Sequence, residues 1–387
     1  LYRQAIDLIN RAPAPVLAID IPSGLSADTG QPLGIAVRAR VTVTYGWPKL
    51  GQILPPGREL VGRLWQVDLG LPPQLAAMSP LALADPASLR SLLPPRPWDS
   101  HKGTFGHLLV IGGSVGKTGA AALAGEGALR VGTGLVTVAV PASLNPILEV
   151  KLTEAMTAPL AEVAGQGVLS QEAYQDLEEL WPGKTALALG PGLGRHPETV
   201  ALVQQVLRRR QGPTVVDADG LFALAQDLEA AVGGPPLILT PHPGEMARLL
   251  ACSTREVQAD RLAAARDLAR RTGAIIVLKG AQSLVAHPDG RVVINTTGNP
   301  ALAQGGTGDV LTGMIGGFLA QRLEPFAAAA LGVYLHGLAA DSRAAWQGSR
   351  GMLAGELLDE LPEVIHKFAA GEIPVTVEQP CCRLVIS

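Results

Sequence analysis

From His107 onward the chain repeats one order: a short apolar run of strand length, a glycine-rich turn, and a helix-length stretch. The runs are His107 to Ile111, Leu135 to Val140, Thr185 to Leu189, Thr214 to Val216, Leu237 to Leu239 and Ala274 to Leu278. Runs that are apolar throughout, rather than alternating, belong to strands covered on both faces, and helical crossovers make such strands parallel. The expected fold class is therefore α/β, a mostly parallel sheet with helices on both faces. Ligands of such sheets lie beyond the carboxyl ends of the strands, which directs attention to the glycine-rich turns.

Upstream, Val16 to Ile21 reads as a strand ending in Asp20-Ile21-Pro22-Ser23-Gly24, and Val41 to Tyr45 and Leu64 to Val67 read as two more. Together they suggest half of an α/β sheet. The opening segment reads as an amphipathic helix with Ile6 and Ile9 inward, so the chain is expected to begin mid-domain. Prolines crowd Leu71 to Ser100, including Pro72-Pro73 and Pro94-Pro95, and mark a boundary. The expected division is 1–72 as a partial domain, 73–87 as linker, 88–368 as the main domain, and 369–387 as a tail without periodicity or assigned role. Long helices are expected at Val310 to Gln321 and Leu353 to Lys367.

A net charge of -3, from 31 basic and 34 acidic residues with no long run of either sign, leaves no electrostatic footprint for nucleic acid or an anionic membrane. Any bound anion must be held locally. Three cysteines, Cys252, Cys381 and Cys382, form no CxxC pair or disulfide framework, so structural zinc is not expected and a reducing compartment is. No apolar run reaches about 18 residues and no secretory layout opens the chain, so a cytoplasmic location is expected.

Three glycine-rich turns are candidates for phosphate chemistry. Gly112-Gly113-Ser114-Val115-Gly116-Lys117-Thr118 follows a strand, but a P-loop needs its first glycine where Ile111 stands. Lys117 is then an ordinary loop cation with no assigned role. Gly190-Pro191-Gly192-Leu193-Gly194 lacks the third glycine of a dinucleotide fingerprint, since Arg195 stands there, and is either a plain turn or a close approach to ligand. Gln304-Gly305-Gly306-Thr307-Gly308-Asp309 opens a helix. Amides at such a start converge with the positive end of the helix dipole on an anion. Asp309 beside them is either a helix-start carboxylate or a base poised to take the proton of a hydroxyl that receives a phosphoryl group. Asp217 and Asp219 stand at a strand end, where capping and function are both open.

The G-G-T-G-D motif at a helix start resembles the ribokinase-like superfamily. Further motifs resemble its NAD(P)H-hydrate dehydratase branch, the kinase-like domain of bifunctional repair enzymes: Ser100-His101-Lys102-Gly103, Gly112-Gly113 through Thr118-Gly119-Ala120-Ala121, Gly190-Pro191-Gly192-Leu193-Gly194, Thr240-Pro241-His242-Pro243-Gly244-Glu245, Leu278-Lys279-Gly280 and Asn299-Pro300. The resemblance spans nearly all of Ser88 to Lys367. It implies a lyase that repairs nicotinamide cofactor by dehydrating the S epimer of NADHX or NADPHX. The ring hydroxyl is phosphorylated, ADP being the expected donor with Mg2+, and phosphate is then eliminated. Carried over by position, Asp309 is the catalytic base and contacts substrate, with Ala120, Gly192, Gly194 and His242. Lys279, Gly280, Ala281, Gln282, Ser283, Gly306, Thr307 and Gly308 bind the nucleotide. Sugar kinases of this fold carry an Asn-x-x-Glu motif where this chain has His242-Pro243-Gly244-Glu245, which argues against an ordinary sugar kinase.

The Asp20-to-Gly24 segment with Asp28-Thr29-Gly30 resembles the second half of the NAD(P)H-hydrate epimerase domain, an isomerase. There Asp20 matches a substrate contact and Ser23 a potassium ligand, while the family's glycine-rich loop and asparagine potassium ligand are expected before Leu1. The epimerase part is therefore expected to be truncated and inactive as given. A homo-oligomer is the expected assembly. A small-molecule or vitamin-precursor kinase, a P-loop NTPase and a non-catalytic nucleotide-binding module remain alternatives.

Overall fold

A computed structural model describes every residue except 73, 76, 77, 373–382 and 385–387. Pro73, Cys381, Cys382 and most of the 369–387 tail lie outside the described residues; Cys252 is a free thiol. The chain divides between Ala82 and Leu83, within the 73–87 stretch and ahead of the Ser88 start expected for the main domain.

The first unit is a parallel sheet in the order β1 (Leu17–Ile19), β2 (Val41–Tyr45), β3 (Arg63–Val67), with β14 (Arg383–Leu384) beside β3. Its small core is Leu25, Ala36, Leu60 and Val61. The opening helix, Tyr2–Arg11, buries Ile6 but leaves Ile9 40% exposed, which corrects the expected inward pair. A polar tether holds its end instead: Asn10 Nδ2 donates to the Ala36 carbonyl at 3.0 Å, and Asn10 Oδ1 accepts the Arg38 amide at 2.9 Å.

The second unit carries a ten-stranded sheet. Its parallel centre runs β11 (Ile275–Leu278), β10 (Leu237–Leu239), β9 (Thr214–Val216), β8 (Ala186–Leu189), β5 (His107–Ile111), β6 (Leu135–Pro141), β7 (Met156–Leu160). Beyond β11, β12 (Leu284–Ala286) and β13 (Val292–Ile294) turn antiparallel, and β4 (Leu81–Leu83) closes that edge. β5, β8, β9, β10 and β11 are almost wholly inaccessible, as all-apolar strands under helices must be. Chain order reverses between β5 and β8, and this switch leaves a crevice beyond their carboxyl ends.

The helix Thr307–Ala320 begins three residues earlier than the expected Val310 and is buried along nearly its whole length. It packs tightly on Thr118–Arg130 because both are rich in glycine and alanine. A methyl group at Gly313 would fall 2.0 Å from the Ala124 carbonyl oxygen, and one at Gly127 would fall 2.7 Å from that of Val310. Gly313→Ala is therefore expected to destabilise the protein by about 1–3 kcal/mol, despite the better helix propensity of alanine, because backbone must move to admit it. Urea or thermal unfolding of the variant measures this, and an unchanged midpoint would contradict the packing. Among the described residues no helix is long and apolar enough to cross a membrane.

Candidate active site

Five parallel strands end on one edge, and the residue types singled out above follow them directly: Gly112 after β5, Gly190 after β8, Asp217 after β9, Thr240 to His242 after β10, and Lys279 after β11. The first two turns lock together across the switch point. Gly113 N donates to the Pro191 carbonyl at 2.8 Å, and Ser114 Oγ to that of Gly192 at 2.7 Å. Gly190 (φ 126°) must be glycine, since a Cβ there would lie 1.9 Å from the Asp217 carbonyl oxygen. A Cβ on Gly192 would come within 3.0 Å of the Ala120 methyl, so Ala120 borders this turn, whereas Ala121 is fully buried.

Asp217 and Asp219 flank Ala218, whose backbone (φ 50°, ψ -120°) is strained for a residue with a side chain. Neither carboxylate caps the helix that follows. Instead, Asp217 is 2% exposed and accepts from Lys279 Nζ at 2.6 Å and from Thr312 Oγ1 at 2.8 Å. Asp219 accepts from Lys117 Nζ at 2.9 Å, the Gly194 amide at 2.9 Å and Arg195 Nε at 3.2 Å. Lys117 is thus no idle loop cation; it pairs with a buried carboxylate. Burial pushes Asp219 upward, but the hydrogen bonds from Lys117 and Gly194 outweigh it and leave its pKa below the ordinary value.

The helix Thr307–Ala320 starts from Gly306 in a left-handed conformation (φ 94°), and the amides of its first turn have no acceptor inside the helix. This turn lies beside the Asp217–Lys279 pair: a Cβ on Gly308 would sit 3.5 Å from Lys279 Nζ and 3.7 Å from Asp217 Oδ2. His336, buried and held near pKa 4 by that burial, hydrogen-bonds the Thr307 carbonyl at 2.8 Å from behind. Asp309, partly buried on this turn, is pushed up to about 6 by burial and by Asp217 and Asp219, against the pull of Lys279. A carboxylate with that pKa is ionised at neutral pH yet basic enough to take a proton. Burial pulls the Lys279 ammonium down, and Asp217, Glu245 and Asp309 more than reverse it, so it stays charged.

His242 caps the helix Pro243–Leu249, its Nδ1 accepting the Gly244 and Glu245 amides at 3.0 and 3.3 Å, while Glu245 accepts the His242 amide at 2.8 Å. The imidazole remains exposed at the lip; burial and Lys279 lower its pKa. Glu245 lies deeper and is pushed up to about 7, chiefly by burial. Ser283 Oγ closes the Gly280–Ser283 turn on the Gly280 carbonyl at 3.0 Å. The buried Arg261 guanidinium supports that turn by donating to the Leu278 and Lys279 carbonyls. In the first unit, Asp20 (φ 62°) ends β1 and accepts from Thr44 Oγ1 and the Tyr45 amide, both at 3.1 Å, and from Lys49. Ser23 is exposed on the next turn, its carbonyl taken by the Val37 amide at 2.9 Å.

Lys279, Gly308, Asp309 and His242 therefore share one electrostatic neighbourhood, and Gly192, Gly194 and Ala120 gather at the glycine turn after β8. Asp217, Thr312 and Glu245 complete the centre; the sequence leaves Asp217 open between capping and function, sets Glu245 in the segment that replaces the sugar-kinase motif, and gives Thr312 no role. For Asp217 and Glu245 the signal was available, each standing just past a strand end. Thr312, inside an apolar helix, gave none.

Residues 108–363 match the family model described as NAD(P)H-hydrate dehydratase. The chain belongs to the NAD(P)H-hydrate dehydratase family. Residues 1–51 match the model of the YjeF-related protein N-terminus. The chain is 50% identical over 366 residues to the bifunctional NAD(P)H-hydrate repair enzyme of Moorella thermoacetica, covering 94% of this chain and 69% of that one. It is 39% identical over 366 residues to the enzyme of that name from Escherichia coli, covering 94% and 68%. Among solved structures, the ADP/ATP-dependent NAD(P)H-hydrate dehydratase of Bacillus subtilis, co-crystallised with ATP and Mg2+, superposes with a TM-score of 0.65 at 36% identity, covering 74% of this chain and 98% of that one. A ribokinase-like superfamily protein of Enterococcus faecalis gives 0.65 at 28%, covering 76% and 98%. The second unit has the ribokinase-like fold, and the domain it forms is a dehydratase, a lyase, as the sequence motifs implied.

Proposed function

We propose that this chain repairs hydrated nicotinamide cofactor by ADP-dependent dehydration of the S epimer of NADHX and NADPHX. The observation that carries this reading is the placement of Asp309: a carboxylate with a pKa of about 6, on a glycine-opened helix start, beside the charged Lys279. Asp309 takes the proton of the ring hydroxyl as its oxygen attacks the terminal phosphorus of ADP. The P–O bond to AMP breaks, and the first-turn amides of Thr307–Ala320 with Lys279 carry the charge of the transferring group. Phosphate then leaves with the C–O bonding pair, pushed by the ring-nitrogen lone pair, and loss of a ring proton restores the dihydronicotinamide. The Gly280–Ser283 turn and Gly306 to Gly308 bind the nucleotide. Ala120, Gly192, Gly194 and His242 contact the hydrated dinucleotide.

Mg2+ fits this setting as an ion carried on the nucleotide phosphates, neutralising their charge, with Glu245 and Asp217 nearby. The described residues contain no cluster of three metal-ligating side chains that would form a cage of their own. In the first unit, Asp20 is proposed as an epimerase substrate contact and Ser23 as one potassium ligand; its exposed turn supplies part of a cation site.

The test is the near-ultraviolet absorbance of hydrated NADH or NADPH incubated with the protein and Mg2+, with ADP, ATP or neither. Absorbance that recovers only with ADP is expected; recovery only with ATP would overturn the donor, and no recovery from folded protein would overturn the reaction. Because the base must be ionised, kcat/KM should rise with pH through about 6 and level off above it, following Asp309. Glu245→Gln should leave that limb in place, since Glu245 titrates nearer 7; a limb that vanished with it would transfer the role.

A further inference from the structure

Beside the crevice stands a group of cations that the reaction above does not use. Arg195, immediately after Gly194, and Arg248, on the helix capped by His242, both approach the ring of Phe222, with guanidinium carbons 4.5 and 5.4 Å from its centroid. The two cannot be further apart than those distances laid end to end. Lys117 and Arg195 share the carboxylate of Asp219, whose side chain is 9% exposed while theirs are 48% and 57% exposed. Asp219 also accepts the Gly194 amide, so the same carboxylate fixes the glycine turn and the two cations. No carboxylate lies within ion-pair distance of Arg248 among the described residues, and Glu245 on the same helix is turned back to the His242 amide. Two cations thus share one buried anion, and a third, Arg248, meets Arg195 only at the ring of Phe222, at an exposed corner with a flat aromatic floor. Like charges gathered on one ring repel unless an anion joins them, and guanidinium groups match phosphate in a forked, two-bond geometry.

We infer that Arg195 and Arg248, seated on Phe222 and backed by Lys117, form a phosphate-binding corner for the dinucleotide substrate. The inference rests on the dinucleotide-hydrate reading and deepens it. The phosphate is either the pyrophosphate, present in both cofactors, or the ribose 2'-monoester, present in NADPHX alone. In either case the corner holds the far end of the substrate while Asp309 works on the ring, so its loss is felt in binding rather than in chemistry.

The experiment pairs two readouts on wild type, Arg248→Gln and Arg195→Gln: binding of NADPH and of NADH, followed by the cofactor's own fluorescence, and turnover of the two hydrates with ADP. Arg271→Gln, which alters an exposed arginine ion-paired with Asp267 within the helix Arg261–Thr272, controls for net charge. Each test variant should raise Kd and KM about tenfold or more with kcat nearly unchanged, as loss of a charged hydrogen bond implies, and added salt should shrink the difference. A loss equal for both cofactors assigns the corner to the pyrophosphate; a loss confined to NADPH and its hydrate assigns it to the 2'-phosphate. Unchanged binding and KM for both would overturn the inference. Tight binding lost in the variants, with no turnover by wild type, would keep the corner and sink the dehydratase reading.

Discussion

Asp309→Asn lowers kcat for dehydration by about 10³-fold, within the range that general-base catalysis supplies, while the dissociation constants for ADP and for NADPH stay within about threefold of wild type. Asparagine keeps the shape of the side chain but cannot take the hydroxyl proton. The helix start loses a favourable carboxylate, worth about 0.3–1 kcal/mol, and sheds the burial that raised its pKa, so the melting temperature moves little. Steady-state kinetics with titrated binding separates the two effects. A variant that keeps more than about a tenth of wild-type kcat would remove Asp309 as base and leave it as a binding residue.

Lys279→Met unfolds the protein more easily by about 3–5 kcal/mol and abolishes turnover, because it strands a buried carboxylate. Asp217 is 2% exposed, and without the ammonium 2.6 Å away its charge keeps one side-chain donor, Thr312. Adding Asp217→Asn to Lys279→Met should restore much of the stability and none of the activity, since the uncompensated charge is gone while the cation beside the first turn of Thr307–Ala320 is still missing. Chemical denaturation of the single and double variants decides it. If the single variant lost less than about 1 kcal/mol, the pair would be a surface-like bridge rather than a buried one.

The first turn of Thr307–Ala320 and the glycine turn after β8 could be found in the sequence because their chemistry is local. Backbone conformations that only glycine adopts cheaply, and amides left free at a helix start, are properties of adjacent residues. Gly190 and Gly306 stand out on that basis, whereas for Asp309 the residues leave a helix-start carboxylate and a base both open and the family resemblance supplies the role of base. The parallel centre was visible for the same reason: its strands are short, wholly apolar and bounded by turns. The edges were not. β7 contains Pro159, and β12 and β13 are three residues each, so none carries a pattern long enough to separate strand from loop. Ile9 shares the face of Ile6 yet is 40% exposed, because an amphipathic period tells which residues share a face and not how much of that face is covered.

By itself, then, the sequence determined the strand-and-turn order, the glycine-opened helix start and its carboxylate, since each is set by neighbours along the chain. Only the tertiary structure decided that Lys279, 62 residues from Asp217, and Thr312, 95 residues from it, would meet on that carboxylate, and that Lys117 would reach Asp219 across 102 residues. Those meetings follow from strand order and helix packing, and the pKa of Asp309 follows from them, because burial and charge at a point depend on everything folded around it rather than on what precedes it in the chain.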